Sequence, residues 1–477
     1  MSAIANRQEG GNSMASPSTY DVMIIGAGPG GYVGAIRASQ LGLKTCVVEK
    51  DKCGGVCLNW GCIPSKNLIH QAQTFGALNE LKEMGIAINI DGFDYSRVQK
   101  KSRDVTERLN KGIEFLLKKN KVDLVKGTAQ ILGQGKVKIS DGRTIDAANI
   151  IIATGSRPSE IPGFEFDHQQ VLSSNDILAL QKLPKSLVIL GAGAIGCEFA
   201  YVMNTFGVKV TLVEMVGHVL PFEDEEIAAI LEKALKKDAI NVLTGHRAVA
   251  LTKSDQKITV TLEDDKGKQH IVEADKALCV FGRRPNTENI GLENLGLKTE
   301  RGYIPVGDYY QTATRNVFAI GDVVATPLLA HVASKEAEIA VEYIAGHKPE
   351  PRIDLDAVPS AIYCEPQVAS FGLRESQAKE KNIPYLKTAF PYAAIGKAVA
   401  IGKAQGMIKV LLDPRSREIL GCHIVGHDAT EMIHEILLAK SSELLPDDIA
   451  MMIHAHPTLS EIIMEVMRGT KGEAIHY

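Results

Sequence analysis

Long apolar runs are missing from this sequence, and so is any surplus of basic charge. No stretch approaches the ~20 apolar residues that a membrane span requires. The two best, residues 22–36 and 187–197, are broken by glycine, and the second is stopped by Glu198. With 53 Lys and Arg against 57 Asp and Glu, the formal net charge is −4. No basic field is available to grip a phosphate backbone, so nucleic acid is not an expected partner. Cysteine is sparse, eight in 477 residues and mostly scattered, which is too thin for the disulfide framework of a secreted protein. The first twenty residues lack both the apolar core of a secretory signal and the Arg-rich, acid-poor face of a transit peptide. Residues 1–19 are expected to form a disordered tail on a cytoplasmic protein. In that compartment a closely spaced cysteine pair is a candidate for chemistry.

What the sequence does contain is length for about three domains, together with one internal repeat. The first copy runs Tyr20-Asp-Val-Met-Ile-Ile-Gly26-Ala-Gly28-Pro-Gly-Gly31 and closes at Thr45-Cys-Val-Val-Glu49. The second runs Leu187-Val-Ile-Leu-Gly191-Ala-Gly193-Ala-Ile-Gly196 and closes at Val210-Thr-Leu-Val-Glu214. In both, the acidic residue stands 23 positions after the first glycine. Each copy reads as strand, glycine turn, helix and strand, a βαβ unit of the dinucleotide-binding type. The glycines let backbone approach a pyrophosphate at a helix N-terminus, and the carboxylate receives ribose hydroxyls. Two units predict two dinucleotides. Glu214 would repel a 2′-phosphate and residues 215–220 offer no Arg or Lys, so the second site is expected to take NAD rather than NADP.

Between the copies, residues 67–84 and 98–119 carry apolar residues at helical spacing, and residues 122–152 read as short strands. The turn-rich stretch 156–162 reads as a domain crossing, with a similar pattern at 277–284. From about residue 352 an α+β domain is expected.

The chemistry-bearing segment is Gly54-Gly-Val-Cys57-Leu-Asn-Trp-Gly61-Cys62-Ile-Pro-Ser-Lys66. The four-residue gap is wrong for a zinc knuckle and no second pair completes a metal site, so no metal is expected. Gly61 lets the chain fold back, and a helix start with a nearby lysine favours thiolate chemistry.

These motifs resemble the pyridine nucleotide–disulfide oxidoreductases over nearly the whole chain beyond the tail. The resemblance implies an α/β fold of two Rossmann-like dinucleotide-binding domains with a C-terminal α+β dimerisation domain. FAD would be bound by residues 20–155 and 282–351, NAD by 156–281, and 352–477 would form the dimer interface. Cys57 and Cys62 match the family's redox disulfide, Lys66 the lysine beside the flavin, and Glu198 its ion-pair partner. Gly26, Gly28, Gly31 and Glu49 match the first cofactor motif, and Gly191, Gly193, Gly196 and Glu214 the second. The segment ending Ala319-Ile-Gly321-Asp322 matches a further FAD motif. Thr154, Gly155 and Gly282 fall in the two segments that join the nucleotide domains. His454-Ala-His456-Pro-Thr-Leu-Ser-Glu461 matches the dimer-domain motif, with His456 as acid/base oriented by Glu461 and His454 structural.

The implied reaction is NAD+-dependent oxidation of a dihydrolipoyl dithiol. The implied partners are a second copy of the chain, with lipoyl domains and the core acyltransferase of 2-oxoacid dehydrogenase complexes, or the lipoyl protein of glycine cleavage. An NAD(P)H-dependent reductase of another disulfide is the alternative, and a non-catalytic flavoprotein scaffold is disfavoured by the complete catalytic set. Two positions depart from the family pattern. Cys364 and Gln367 replace a hydroxyl residue and a glutamate, and Cys53, ahead of the glycine pair, is expected to be a small buried apolar substitute.

Overall fold

The computed structural model describes residues 20–477, and the tail expected over residues 1–19 lies outside the described residues. The chain forms two units, each assembled from separated segments. The first takes the described part of Met1–Cys53 with Glu114–Thr154 and Thr287–Pro351; the second takes Gly54–Ile113, Gly155–Asn286 and Arg352–Tyr477.

The first unit is built on a parallel sheet in the order Asp123–Lys126, Thr45–Glu49, Tyr20–Ile25, Thr144–Ile152. The last strand is long enough to serve two partners. Its N-terminal half pairs antiparallel with Lys136–Ile139 and its C-terminal half pairs parallel with Val317–Ala319. Val22, Met23, Ile24 and Ile25 are all buried, as a parallel strand covered on both faces requires. Helix Pro29–Gln40 packs on helix Ala330–Ile344, where Gly34 lets the backbones approach Ala337 closely.

The second unit contains another parallel sheet, Asn241–Leu243, Lys209–Val213, Ser186–Leu190, Lys276–Cys279, Val171–Leu172. A three-stranded antiparallel sheet (His246–Lys253, Ile258–Asp264, Gln269–Ala274) is inserted in the chain between its strands Asn241–Leu243 and Lys276–Cys279. Helices Gly55–Trp60 and Cys62–Gly76 pack together, and the second lies against helix Ala194–Thr205. A five-stranded antiparallel sheet, Ser360–Ile362, Gln367–Gly372, Ile419–Gly426, Met407–Leu412 and Leu386–Pro391, carries helices Ala429–Ser441 and Glu461–Gly469. The α/β class with a C-terminal α+β portion is therefore as the sequence led one to expect.

Within this unit Lys409 is 1% exposed, and its ammonium meets Asp224, Glu226 and Glu375 at 2.9, 2.8 and 2.6 Å. One charge in the interior is compensated by three opposite ones, the arrangement that makes burial of an ammonium tolerable.

Candidate active site

The two glycine turns are built alike. Gly26 has φ +105° and Gly191 φ +109°, and a Cβ at either would overlap the carbonyl of the crossing strand, Ala153 in one and Val280 in the other. Only glycine is accommodated there. Gly31 and Gly196 pack against the first glycine's own carbonyl, closing helix onto strand. Gly28 and Gly193 are the N-caps of helices Pro29–Gln40 and Ala194–Thr205, and neither helix has a side-chain cap. A Cβ at Gly193 would meet nothing within 4 Å, so the helix N-terminus opens onto free space.

The terminal carboxylates repeat the symmetry. Glu49 accepts the Ala27 N–H at 2.7 Å and the Asp51 N–H at 2.9 Å. Glu214 accepts the Ala192 N–H at 2.8 Å and the Val216 N–H at 3.2 Å. Each carboxylate fixes its own turn and keeps lone pairs for a ribose. Two uncapped helix N-termini with glycine approaches and anchored carboxylates fit two dinucleotides.

In the first unit Gly321 has φ +67° and donates its N–H to Glu336 at 2.6 Å, which sets the Gly321–Val323 turn carrying Asp322. Glu336 is fully buried, and burial pushes its carboxyl up to about 7. Gly155 and Gly282 flank a short antiparallel pair, Ser156–Pro158 with Arg283–Pro285, braced by Arg283 on Ser156. Thr154 is the last residue of the first unit's middle segment.

The cysteines lie in the second unit. Cys57 sits in the short helix Gly55–Trp60, Gly61 breaks the helix with φ −155° and ψ −115°, and Cys62 opens helix Cys62–Gly76. Both are free thiols. The Cys57 thiol donates to Cys62, which holds the Cys62 thiol below its ordinary range; burial opposes this and the Lys66 ammonium assists it. The same hydrogen bond, together with burial, pushes the Cys57 thiol far up. The hydrogen bond therefore favours the negative charge on Cys62, beside Lys66.

Lys66 lies one helical turn beyond Cys62. Its ammonium bonds both Glu198 oxygens, at 2.8 and 3.0 Å, from helix Cys62–Gly76 to helix Ala194–Thr205. Burial works against the Lys66 charge, but Glu198 outweighs it and holds the ammonium above the ordinary lysine range. Tyr363 completes the group. Its N–H donates to Glu198 at 3.1 Å, and its ring lies under the ammonium at 4.5 Å.

The segment between the cysteines is tied down by residues that sequence reasoning missed. Asn59 bonds Gly55 and receives Asn110 at 3.0 Å, while Arg103 donates to the Asn59 carbonyl at 2.8 Å and covers Trp60. The helical amphipathicity of residues 98–119 was the only available signal, because it marks Arg103 and Asn110 merely as positions on that helix.

A second group stands at the C-terminal end. Nδ1 of His456 lies 3.0 Å from Glu461, whose other oxygen accepts the Thr458 N–H at 2.9 Å. Burial pushes the Glu461 carboxyl up, but the Thr458 N–H and His456 prevail and hold it below its ordinary range. A carboxylate accepts only, so Nδ1 carries the proton and Nε2 of this 76% exposed imidazole faces solvent with its lone pair. His454 is bound instead to Glu435 at 2.9 Å. The structure thus gathers Cys57, Cys62, Lys66 and Glu198 in one place and His456 with Glu461 in another. Among the described residues no hydrogen bond or ion pair joins the two groups.

The two departures have local explanations. Gln367 accepts both the N–H and the hydroxyl of Thr430 at the start of helix Ala429–Ser441, and Cys364 is fully buried with its thiol pushed well up by burial. Cys53 is 2% exposed and raised by burial to about 11, an inert small group.

Residues 20–337 match the pyridine nucleotide-disulphide oxidoreductase family, and residues 358–467 match its dimerisation domain. Dihydrolipoyl dehydrogenase of Bacillus subtilis is 42% identical over 472 residues, covering 96% of this chain and 99% of its own length. That of Rhizobium etli is 40% identical over 479 residues, covering 96% and 99%. Among solved structures, LpdA from Mycobacterium tuberculosis superposes with a TM-score of 0.86 at 25% identity, covering 94% of this chain and 99% of that one. The HOCl-induced flavoprotein disulfide reductase RclA from Escherichia coli gives 0.83 at 25% identity, with coverage of 94% and 99%.

Proposed function

The chain belongs to the pyridine nucleotide–disulphide oxidoreductase family, and on that premise we propose that it oxidises protein-bound dihydrolipoyl groups to lipoyl while reducing NAD+ to NADH. The redox element is the Cys57–Cys62 pair, and the observation that carries the reading is its geometry: Cys57 and Cys62 on either side of the Gly61 break, with Cys62 opening the helix whose Lys66, one turn on, is held by Glu198.

FAD and NAD are the cofactors of this family. Residues 20–155 and 282–351 would hold FAD, through Gly26, Gly28, Gly31, Glu49, Thr154, Gly155, Gly282, Gly321 and Asp322. Residues 156–281 would hold NAD through Gly191, Gly193, Gly196 and Glu214. A bound flavin supplies the hydride chemistry that connects a dithiol to a nicotinamide.

The protein's own steps are acid–base and thiol exchange. His456, its Nε2 lone pair presented to solvent, takes a proton from a substrate thiol, because only the thiolate attacks a disulfide at a useful rate. The substrate thiolate attacks the Cys57 sulfur of the oxidised pair, and Cys62 leaves as the thiolate that Lys66 stabilises. The second substrate sulfur, deprotonated in turn, displaces Cys57 and closes the lipoyl ring. The electron pair now resides on the two cysteines. Glu461 holds the imidazole in the tautomer this requires, and Glu198 and Tyr363 hold Lys66.

The His456 group and the cysteine group belong to two copies in this reading, each histidine serving the other copy's cysteines. The dimerisation domain supports it, as do Met451 and Ile453, 84% and 98% exposed just ahead of the histidines. The substrate partners are lipoyl domains of 2-oxoacid dehydrogenase complexes or the glycine-cleavage lipoyl protein, and the setting is the cytoplasm. Among the described residues no helix is long and apolar enough to cross a membrane.

Anaerobic addition of dihydrolipoamide to the purified flavoprotein tests the reading. It should produce a long-wavelength thiolate-to-flavin band that NAD+ discharges and NADP+ does not. A flavin left oxidised by dihydrolipoamide but reduced by NADH would instead assign the protein to reduction of another disulfide.

A further inference from the structure

The three-stranded sheet His246–Lys253, Ile258–Asp264, Gln269–Ala274 carries a group of side chains that the redox chemistry does not use. In the strand register His246 stands opposite Asp264, and His270 stands opposite Leu262, two residues before Asp264 and so on the same face. That face is otherwise apolar: Val260 and Leu262 are buried, with Ala248 and Val272 packed against them. Two imidazoles and a carboxylate therefore stand at the rim of an apolar face.

One ligand atom from each of the three lies within 4.8 Å of the other two, and the His246 and His270 rings are 5.1 Å apart at 67°. Their orientation is set by neighbours. Nδ1 of His246 is 2.7 Å from the Thr244 carbonyl, which can only accept, so the proton is on Nδ1 and Nε2 offers its lone pair. A backbone carbonyl in this position is how metal-ligating histidines are held. Asp264 uses Oδ1 to accept the Lys266 and Lys268 N–H groups at 3.0 and 2.9 Å, leaving Oδ2 facing Nε2 of His270 at 3.0 Å. The His246 backbone is fixed in turn, its N–H donating to the Glu214 carbonyl at 2.9 Å. The His270 and Asp264 side chains are 35% and 16% exposed, so an ion can reach them from solvent.

We propose that His246, Asp264 and His270 bind one divalent transition-metal cation of the zinc and copper type. Imidazole nitrogen with a single carboxylate suits these borderline ions, whereas Mg2+ and Ca2+ demand more oxygen ligands. Three protein ligands leave a fourth position for water. The cation enters between His270 and Asp264; the Nε2 proton of His270 is exchanged through solvent to Nδ1, so that Nε2 offers its lone pair as neutral imidazole, and no electron is transferred. The sequence carries no compact signal for this set, because its members are 18 and 6 residues apart and are brought together by two strand pairings.

The test uses the oxidised, chelator-treated flavoprotein, in which the closed disulfide removes Cys57 and Cys62 as ligands. Zn2+ is titrated calorimetrically, and Cu2+ by electron paramagnetic resonance. The expected result is one equivalent bound and a two-nitrogen copper signal. His246→Gln and His270→Gln should each weaken Zn2+ binding at least ~10-fold, and Asp264→Asn, which keeps the turn's shape, should weaken it too. His168→Gln, at an exposed histidine elsewhere, should have no effect. Retention of the flavin spectrum and NADH turnover certifies each variant as folded. Absence of Zn2+ binding to the parent protein, or binding equal in parent and His246→Gln/His270→Gln double variant, would overturn the proposal.

Discussion

Replacing Cys57 by alanine and by serine separates two ways of holding a thiolate on Cys62. The leading influence on Cys62 is the hydrogen bond from Cys57, with Lys66 contributing after the opposing effect of burial. Together they hold the Cys62 thiol below its ordinary range, and each pH unit of lowering is a preference of about 1.4 kcal/mol for the charged form. Alanine at position 57 removes the donor and leaves the burial cost, so the midpoint should rise by about one unit or more and the thiolate fraction near neutral pH should fall on the order of tenfold. Serine still offers an O–H in the same place, so the Cys57→Ser midpoint should stay within about half a unit of the parent's. Thiolate absorbance near 240 nm, or the pH dependence of alkylation, reads Cys62 directly in both variants. Equal midpoints in the two variants, both unchanged from the parent, would refute the reasoning and transfer the effect to Lys66 and the helix N-terminus.

Three further outcomes follow from the same geometry. His456→Gln should lower kcat for dihydrolipoamide oxidation by about 10²–10⁴, while NADH-driven reduction of an artificial electron acceptor, which needs no thiol deprotonation, stays within about twofold of the parent; equal losses in both assays would place His456 outside the acid–base role. Lys409→Met should cost about 3–5 kcal/mol by stranding Asp224 and Glu375 without their cation, read as a lowered midpoint in denaturant unfolding; an unchanged midpoint would contradict the charge compensation inferred for this cluster. Glu226, Asp224 and Glu375 are all held below the ordinary carboxylate range, with the Lys409 hydrogen bond the chief lowering influence on each. Depressed carboxylates contribute stability that is present above their unfolded values near 4 and lost as pH falls below them. The parent protein should therefore lose thermal stability between about pH 4 and pH 2, and Lys409→Met should show a shallower acid decline by differential scanning.

The glycine turns were legible because their physics is local. A strand, a glycine that only a positive φ satisfies, and a carboxylate 23 residues on all lie within one βαβ unit, so the repeat at Gly26–Glu49 and Gly191–Glu214 could be read without knowing the rest. The strands at 46–48 and 187–190 were legible for the same reason, as unbroken apolar runs. Lys66 and Glu198 are another matter. They meet across 132 residues of sequence, and family resemblance alone suggested the pairing. Lys409 with Asp224 spans 185 residues, and nothing in either local segment distinguishes these residues from surface charges. The ring of Tyr363 beneath Lys66 was equally hidden, since an aromatic residue in a short strand-like stretch reads as core. Gln367 and Cys364 looked irregular in sequence because their partners, the start of helix Ala429–Ser441 and a sealed interior, exist only after folding.

The bracing of residues 55–62 has a consequence for speed. Asn59 is tied to Gly55 and Asn110, and its carbonyl to Arg103, without using either sulfur. Opening or closing the disulfide then asks only for side-chain rotation at two positions, while the peptide framework stays where it is. Such an element has little to rearrange between its redox states, so each turnover begins from a backbone already poised for the next, and amide exchange over Gly55–Trp60 should be indistinguishable in the oxidised and reduced protein.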